Sequence, residues 1–246
     1  MTQTPEDSFL PIDPGAAICF SCHAERSCFN HCCHDISQVL YPYDILRLKN
    51  HLALSSSAFL ATYCTVSDGE STALPVVTFK LDAGHDWACP FVNDEGCRVY
   101  PDRPASCRIF PFARGLVRDR ATGRITEHYA RIPDPQCQGF TEPHSLPFAQ
   151  WLGGQELATY NEMNDAMMPL ISLKNRLRPG PLEPWEKEIF ITGCYDLDGF
   201  RDGAFRSGQL VDLFPEERLL AAEKHEEKLL LLALEWVRFR LFGKSR

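Results

Sequence analysis

The sequence predicts an α+β fold, mainly α, in which an irregular, metal-stabilised, cysteine-rich N-terminal domain with short β hairpins is followed by a helical C-terminal region. Three observations carry this. Ten of the eleven cysteines fall between Cys19 and Cys137, and only Cys194 lies beyond. Short β-rich runs bounded by turn residues alternate with those cysteines. From about Phe148 onward the apolar residues recur at helical spacing.

Taken in order, residues 1–15 are polar, acidic and proline-containing, and read as an N-terminal arm, mobile or draped over the surface. Residues 16–145 form the cysteine-cluster domain and 146–246 the helical region, with the boundary drawn where composition changes near residue 145. Within 42–63, Ile45, Leu48 and Leu52, then Phe59, Leu60 and Tyr63, are spaced for two short helices, with Ser55 or Ser56 capping the second. LPVVTFKLDAGHDWACPFV reads as a hairpin that turns at Asp-Ala-Gly-His-Asp and delivers cysteines from its end. GLVRDRATGRITEHYARI reads as a second hairpin, turning at Ala121 to Gly123. Beyond Pro147, helices are expected over 148–176, 184–192 and 216–242.

Composition narrows the function. At 246 residues and 44% hydrophobic, the chain can bury an ordinary core without covalent staples. Its first twenty residues lack the basic start and apolar run of an export signal, so a reducing, cytoplasmic setting is expected. In that setting clustered thiols are metal ligands or redox groups more often than disulfides, and an odd number cannot pair completely. A net charge of −8 speaks against phosphate-based nucleic-acid binding. The greasiest stretch, Leu229 to Phe242, is interrupted by Glu235, Arg238 and Arg240 and cannot span a bilayer.

The first cluster, CFSCHAERSCFNHCCHD, places Cys19, Cys22, Cys28, Cys32 and Cys33 in fifteen residues. Thiolates suit soft and borderline metals, and close spacing lets one loop supply several ligands at low closure entropy. Adjacent Cys32 and Cys33 cannot easily serve one zinc, which points to a multinuclear cluster, two neighbouring sites or one spectator. The radical-type spacing of three cysteines, with gaps of three and then two residues, fails because Asp35 stands at the required third position. The second cluster, CPFVNDEGCRVYPDRPASCRIFPF, sets Cys89, Cys97 and Cys107 among prolines that stiffen the segment. Its Arg98, Arg103, Arg108 and Arg114 either offset thiolate charge or pair with surface acids. Cys137, in CQGF, completes a set of eight with Cys22, Cys28, Cys32, Cys33, Cys89, Cys97 and Cys107. Eight thiols can furnish two tetrahedral zinc sites, two four-cysteine iron–sulfur clusters, or one centre plus redox thiols. Cys64 and Cys194 read as small core hydrophobes. Among the histidines only His34, beside the vicinal pair, stands as a ligand or a support for one.

These clusters, with PYDILRLKNHLALSSSAFLATY between them, resemble the YkgJ-type cysteine-cluster proteins, a zinc- or iron-chelating domain, over much of residues 22–140. The chain departs from that family's compact pattern: five residues separate Cys22 from Cys28 and three separate Cys28 from Cys32. The spacing therefore admits Cys19 or Cys22 as first ligand, and the resemblance favours Cys22. The resemblance extends to flagellin lysine-N-methylases, which implies S-adenosylmethionine as a cofactor and a protein substrate, although no glycine-rich nucleotide-binding fingerprint accompanies it. The functions weighed are thus a metal-binding module of structural, redox or sensing role, a methyltransferase-like enzyme, and a metal storage or delivery protein. A cysteine-nucleophile hydrolase ranks last, since no thiol has an identifiable His and acidic partner. Asp196, Asp198, Arg201 and Asp202 in the C-terminal region either line a site or start a solvated helix.

Overall fold

Turn and cap chemistry sets the element boundaries in a computed structural model that describes residues 9–36, 38–70, 72–119 and 122–243. Residues 1–8 of the arm and Ala121 of the second hairpin's turn lie outside them. The chain forms two compact units that interleave along the sequence, one made of 1–36, 82–100 and 105–157, the other of 37–81, 101–104 and 158–246.

In the first unit, β1 (Leu10–Ile12) pairs antiparallel with β9 (Ile125–Arg131), which pairs with β8 (Phe112–Arg118). The hairpin expected over 115–132 is thus present as β8–β9, with Gly115 opposite His128. The arm contributes a strand at Leu10–Ile12. β2 (Ala17–Ile18) pairs with β10 (Leu146–Pro147), and helix α4 (Phe148–Gly153) follows directly. The core beneath these pieces is aromatic. Phe112 lies 4.8 Å from Trp151, 4.9 Å from Phe148 and 5.8 Å from Phe20, ring centre to ring centre, and Phe20 lies 4.9 Å from Phe140. Such pairs add about 0.5–1.5 kcal/mol each beyond the area they bury.

The hairpin expected across residues 74–92 is a point of correction. Its first run forms β5 (Pro75–Phe79), but β5 pairs with β3 (Val39–Leu40) and β4 (Cys64–Asp68), not with the run that follows. Residues 83–85 make a 3₁₀ turn closed only by a single Asp82–Ala88 bridge, with Asp86 and Trp87 at φ of 54° and 53°. Two successive left-handed residues turn the chain too sharply to continue a ladder. The small hairpin that does form is β6 (Val92–Asn93) with β7 (Gly96–Cys97).

The second unit holds most of the helix. α1 (Pro42–His51) starts with proline inside its first turn, and Asp44 accepts the Tyr41 N–H at 2.8 Å in a capping box. α2 (Ser56–Tyr63) is capped by Ser55, whose hydroxyl accepts the Ala58 N–H at 3.2 Å. The helix expected over 148–176 is divided into α4, α5 (Ala158–Asp165) and α6 (Met168–Leu177). Gly153 and Gly154 end α4, Glu156 takes a φ of 54°, and Pro169 restarts the chain in the first turn of α6. α7 (Pro184–Cys194) follows its expected bounds closely, and α8 (Leu197–Phe200) runs into a π turn at Arg201–Phe205. The helix expected over 216–242 is two, α9 (Glu216–Lys224) and α10 (Glu226–Phe242), parted where His225 is extended. α10 carries a broad buried face, Leu229, Leu230, Leu232, Ala233, Trp236 and Val237 among its residues, with Glu235 and Arg238 on the half-buried remainder. It accordingly sits at the centre of the unit, against α1, α6, α7, α8 and α9. Gly193 of α7 meets it so closely that a methyl group there would overlap Val237.

Asp196, Asp198 and Arg201 serve this packing. Asp196 caps α8 through the Gly199 N–H at 3.2 Å and accepts the Ser56 hydroxyl at 2.6 Å. Asp198 accepts the Ser56 N–H at 2.8 Å and lies 3.3 Å from the buried Lys49 ammonium, which donates to Glu226 at 2.8 Å. Arg201 reaches Asp198 and Glu226 at 3.4 and 3.3 Å. Asp202 is apart, in an exposed pair with Arg206 at 2.6 Å. Burial opposes ionisation of Asp198 and Glu226. The hydrogen bond from the Ser56 N–H and the attraction of Lys49 outweigh it at Asp198, as bonds from Lys49 and Asn50 do at Glu226, so both carboxyls titrate below their usual range.

Two outcomes follow for stability. Lys49→Met should cost about 3 kcal/mol in denaturant unfolding, because it removes the buried cation between two part-buried carboxylates and leaves them Arg201 alone as a counter-charge, whereas Arg206→Ala should cost less than about 0.5 kcal/mol. Because the two carboxyl pKa values are lowered on folding, the Lys49 network contributes fully above about pH 4 and is lost as pH falls below it, so Lys49→Met should also flatten the acid limb of the stability profile. Gly193→Ala should destabilise by about 1–3 kcal/mol despite the better helix propensity of alanine, since overlap with Val237 forces repacking.

Candidate metal centre

The segment bearing the first cysteines is built from consecutive tight turns. Phe29 N–H bonds to Arg26 C=O at 2.9 Å, His31 N–H to Cys28 C=O at 3.0 Å, and Cys33 N–H to Asn30 C=O at 2.9 Å, the last closing a 3₁₀ turn over His31–Cys33. Asn30 enters that turn at φ 68°, a left-handed value asparagine tolerates.

Two separate sets of bonds hold this segment. Toward its start, Ser21 N–H bonds to Gly139 C=O at 3.0 Å, Ser27 Oγ donates to Gln138 Oε1 at 2.7 Å, and Arg26 donates to Thr141 Oγ1 at 2.6 Å and pairs with Glu142. The Gln138 N–H points at Cys28 Sγ, 3.3 Å away. Gly139 is required here, because a side chain at that position would overlap the Phe20 ring. Toward its end, Cys89 N–H bonds to Cys33 C=O at 2.8 Å, Asp35 N–H to Trp87 C=O at 3.0 Å, and Asn30 Nδ2 to Asn93 C=O at 2.8 Å. Cys97 stands opposite Val92 in the β6–β7 hairpin, and Cys107 sits within α3 (Ala105–Ile109).

All eight cysteines of the expected set thus lie in the first unit, whereas Cys64 and Cys194 are buried in the second. Cys22 and Cys32 are exposed and the other six half-buried. Cys22 lies within electrostatic reach of Cys32, Cys28 and Cys137. Cys33 lies within reach of Cys32, Cys89 and Cys107, and Cys89 within reach of Cys97. Cys19, the alternative first ligand, is instead exposed on a cleft of about 350 Å³ lined also by Leu10, Ile18, Phe112, Arg131 and Phe140. Among the described residues, no group of three or more cysteine, histidine, aspartate or glutamate side chains is placed to hold a metal ion as it stands. The thiols are neighbours rather than a finished coordination shell, and binding would have to draw them together.

Their electrostatics match that state. Burial, then the neighbouring thiols Cys32, Cys28 and Cys137, push the Cys22 thiol up. Burial raises Cys89 to about 11 and also raises Cys137. In the vicinal pair the Cys33 S–H donates a hydrogen bond to Cys32 Sγ, which pushes Cys33 up and holds Cys32 down to about 7. Crowded thiols resist ionising together unless a cation is among them. Arginine supplies part of that charge: Arg26 acts on Cys22, and Arg98, which donates to Pro90 C=O at 2.7 Å, acts on Cys89. Of the other arginines raised by the sequence, Arg108 is buried against Gln155 C=O at 3.1 Å, and Arg114 pairs with Glu127 at 2.7 Å across β8–β9. The histidines have other partners: His34 Nδ1 lies 3.1 Å from Asp86 C=O, His23 is 3.7 Å from Glu142, and His85 is 2.5 Å from Asp82. An all-thiol donor set with two adjacent arginines fits a thiophilic metal, zinc or iron within a sulfide cluster, and does not fit a hard cation. Sequence reasoning missed Arg26, Ser27, Gln138 and Thr141, the residues that tie the first cysteines to the last. Their side chains are ordinary surface types, and only the fold sets them face to face.

Among the described residues, no helix is long and apolar enough to cross a membrane. No curated protein and no solved structure matches the chain. A family model does: CxxCxxCC, described as "Putative zinc- or iron-chelating domain", matches residues 21–138, the span from just before Cys22 to just after Cys137. The match covers just under half of the chain, and over those residues the chain is similar to the CxxCxxCC family.

Proposed function

We propose that this protein binds zinc or an iron–sulfur cluster through Cys22, Cys28, Cys32, Cys33, Cys89, Cys97, Cys107 and Cys137, and that the metal holds the cysteine-bearing segments in place. The observation that carries the reading is that these eight thiols, contributed by three separate stretches of sequence, meet in one unit. Those stretches have little regular structure of their own: residues 19–36 and 82–100 consist of turns and two-residue strands. Such segments bury little apolar surface, so metal–thiolate bonds would supply the ordering energy that a core supplies elsewhere. Zinc would supply cross-linking alone, and an iron–sulfur cluster would add one-electron chemistry. The chain's own contribution is to present the thiols, to lend positive charge through Arg26 and Arg98, and to anchor the cysteine segments through the aromatic cluster around Phe20 and Phe112.

Variants test the assignment directly. Cys89→Ser and Cys107→Ser should each lower bound metal by half or more in elemental analysis of purified protein. Cys64→Ala and Cys19→Ser should leave it at the wild-type level, and a wild-type level in the first two would refute the assignment. Chelation should raise protease cleavage within 19–36 and 82–100 while the α10 region stays protected, because metal-binding energy is folding energy only where the ligands are. Since ligand thiols must lose their protons, apparent affinity should rise with pH.

A further inference from the structure

We infer that the cleft beside β1 is a binding site for a small organic carboxylate with an apolar body, held by the Arg131 guanidinium. The site is separate from the proposed metal centre: Cys19, the cleft's exposed thiol, lies outside the set of eight cysteines.

The sheet and the segments laid against it make the cleft. Arg131 stands opposite Phe112 on one neighbouring strand and Leu10 on the other, and directly opposed residues of antiparallel strands share a face. All three line the cleft, together with Ile18, Cys19 and Phe140, around a volume of about 350 Å³. That volume lies at the lower end of the range for small-molecule sites.

Of the described residues that line it, Arg131 is the one that carries a charge. Its guanidinium carbon lies 3.5 Å from the centre of the Phe140 ring. A ring so placed covers one face of the ion and leaves the N–H groups at its edge for hydrogen bonding. Among the described residues, no carboxylate or carbonyl accepts from this side chain, and its Nε–H is hidden from solvent with no partner. The cation has therefore given up hydration without gaining an acceptor, a state that an arriving anion relieves. Acids are not scarce in the chain, which has 33 Asp and Glu against 25 Lys and Arg. Arg114, on the adjacent strand, pairs with Glu127 at 2.7 Å. Arg131 is thus left to an anion from outside its own sheet.

The lining also sets the class of ligand. One guanidinium matches one carboxylate in charge and in two-point geometry, whereas a phosphate dianion calls for further cationic donors that the cleft lacks. Apart from Arg131 and Cys19, the lining side chains are apolar, Leu10, Ile12, Ile18, Phe112 and Phe140 among them. They take an alkyl or aryl group out of water.

The test uses the full-length protein as purified, with hexanoate as the probe and hexanamide, its uncharged counterpart, as the control. Binding is measured by calorimetry. Occupancy of the cleft is read from the rate at which iodoacetamide alkylates Cys19, followed by peptide mass spectrometry against a small free thiol in the same tube. At about ten times its Kd, hexanoate should fill the cleft about nine-tenths of the time and slow Cys19 alkylation about tenfold, and hexanamide should leave the rate unchanged. Arg131→Gln should abolish both the binding heat and the protection. Ala17→Phe, which fills the cleft and keeps Arg131, should do the same, and it decides the matter if the first variant does not fold. Absence of hexanoate binding, equal protection by hexanamide, or protection that survives in either folded variant overturns the inference. Inorganic phosphate protecting Cys19 as well as hexanoate does overturns the assignment to a carboxylate.

Discussion

Crowding thiols together in a half-buried place is the constraint around which the cysteine-bearing unit is arranged. Each thiol there loses hydration and sees other sulfurs that would share its negative charge, so the ionised forms of Cys22, Cys33, Cys89 and Cys137 are all disfavoured. As a purely structural device this is a poor choice, because a small hydrophobe would pack as well without the penalty. A thiophilic cation reverses the sign: it replaces several protons with one multivalent charge that every sulfur attracts. The cost of assembling the thiols is then the measure of how strongly the site would select for metal over proton.

The rest of that unit provides fixed ends for segments that cannot fix themselves. The Phe20, Phe112, Phe140, Phe148 and Trp151 rings gather the chain just before Cys22, just after Cys107 and just after Cys137. The β8–β9 hairpin spans the distance between the last two of those points. A loop held at both ends loses less entropy when its ligands close on an ion, so a small aromatic core lowers the work the metal must do. The helical unit solves its problem differently, with α10 buried along a broad face and the Lys49 network satisfying the polar groups at its start. It has an ordinary apolar core, and its two cysteines, Cys64 and Cys194, are part of that core.

Much of this was legible in the sequence, and the failures have identifiable causes. Helices α1, α2 and α7 and the β8–β9 hairpin were readable because cap, proline and turn residues agree with apolar spacing there. The division of the last helix at His225 has no such mark, since neither glycine nor proline stands there and the periodicity continues through it. Strand β4 was hidden because four of its five residues are exposed, leaving no alternation to read. Its pairing with β5, in place of a hairpin across Asp82–Asp86, depended on two non-glycine residues adopting left-handed backbone. The eight cysteines could be named from spacing and resemblance, but not sorted into groups. Sorting depends on which loop lies against which, through residues such as Gln138 and Asn30 whose identity says nothing of their partner.

The claim on which the account turns is that the crowded thiols hold metal, and elemental analysis with acid-labile sulfide determination, on untagged protein purified without oxygen, tests it most directly. The account predicts stoichiometric zinc in a colourless sample, or iron with sulfide and a broad absorption band near roughly 400 nm, typical of iron–sulfur clusters. Protein free of both metals, with its thiols open to alkylation or paired in disulfides, would contradict it.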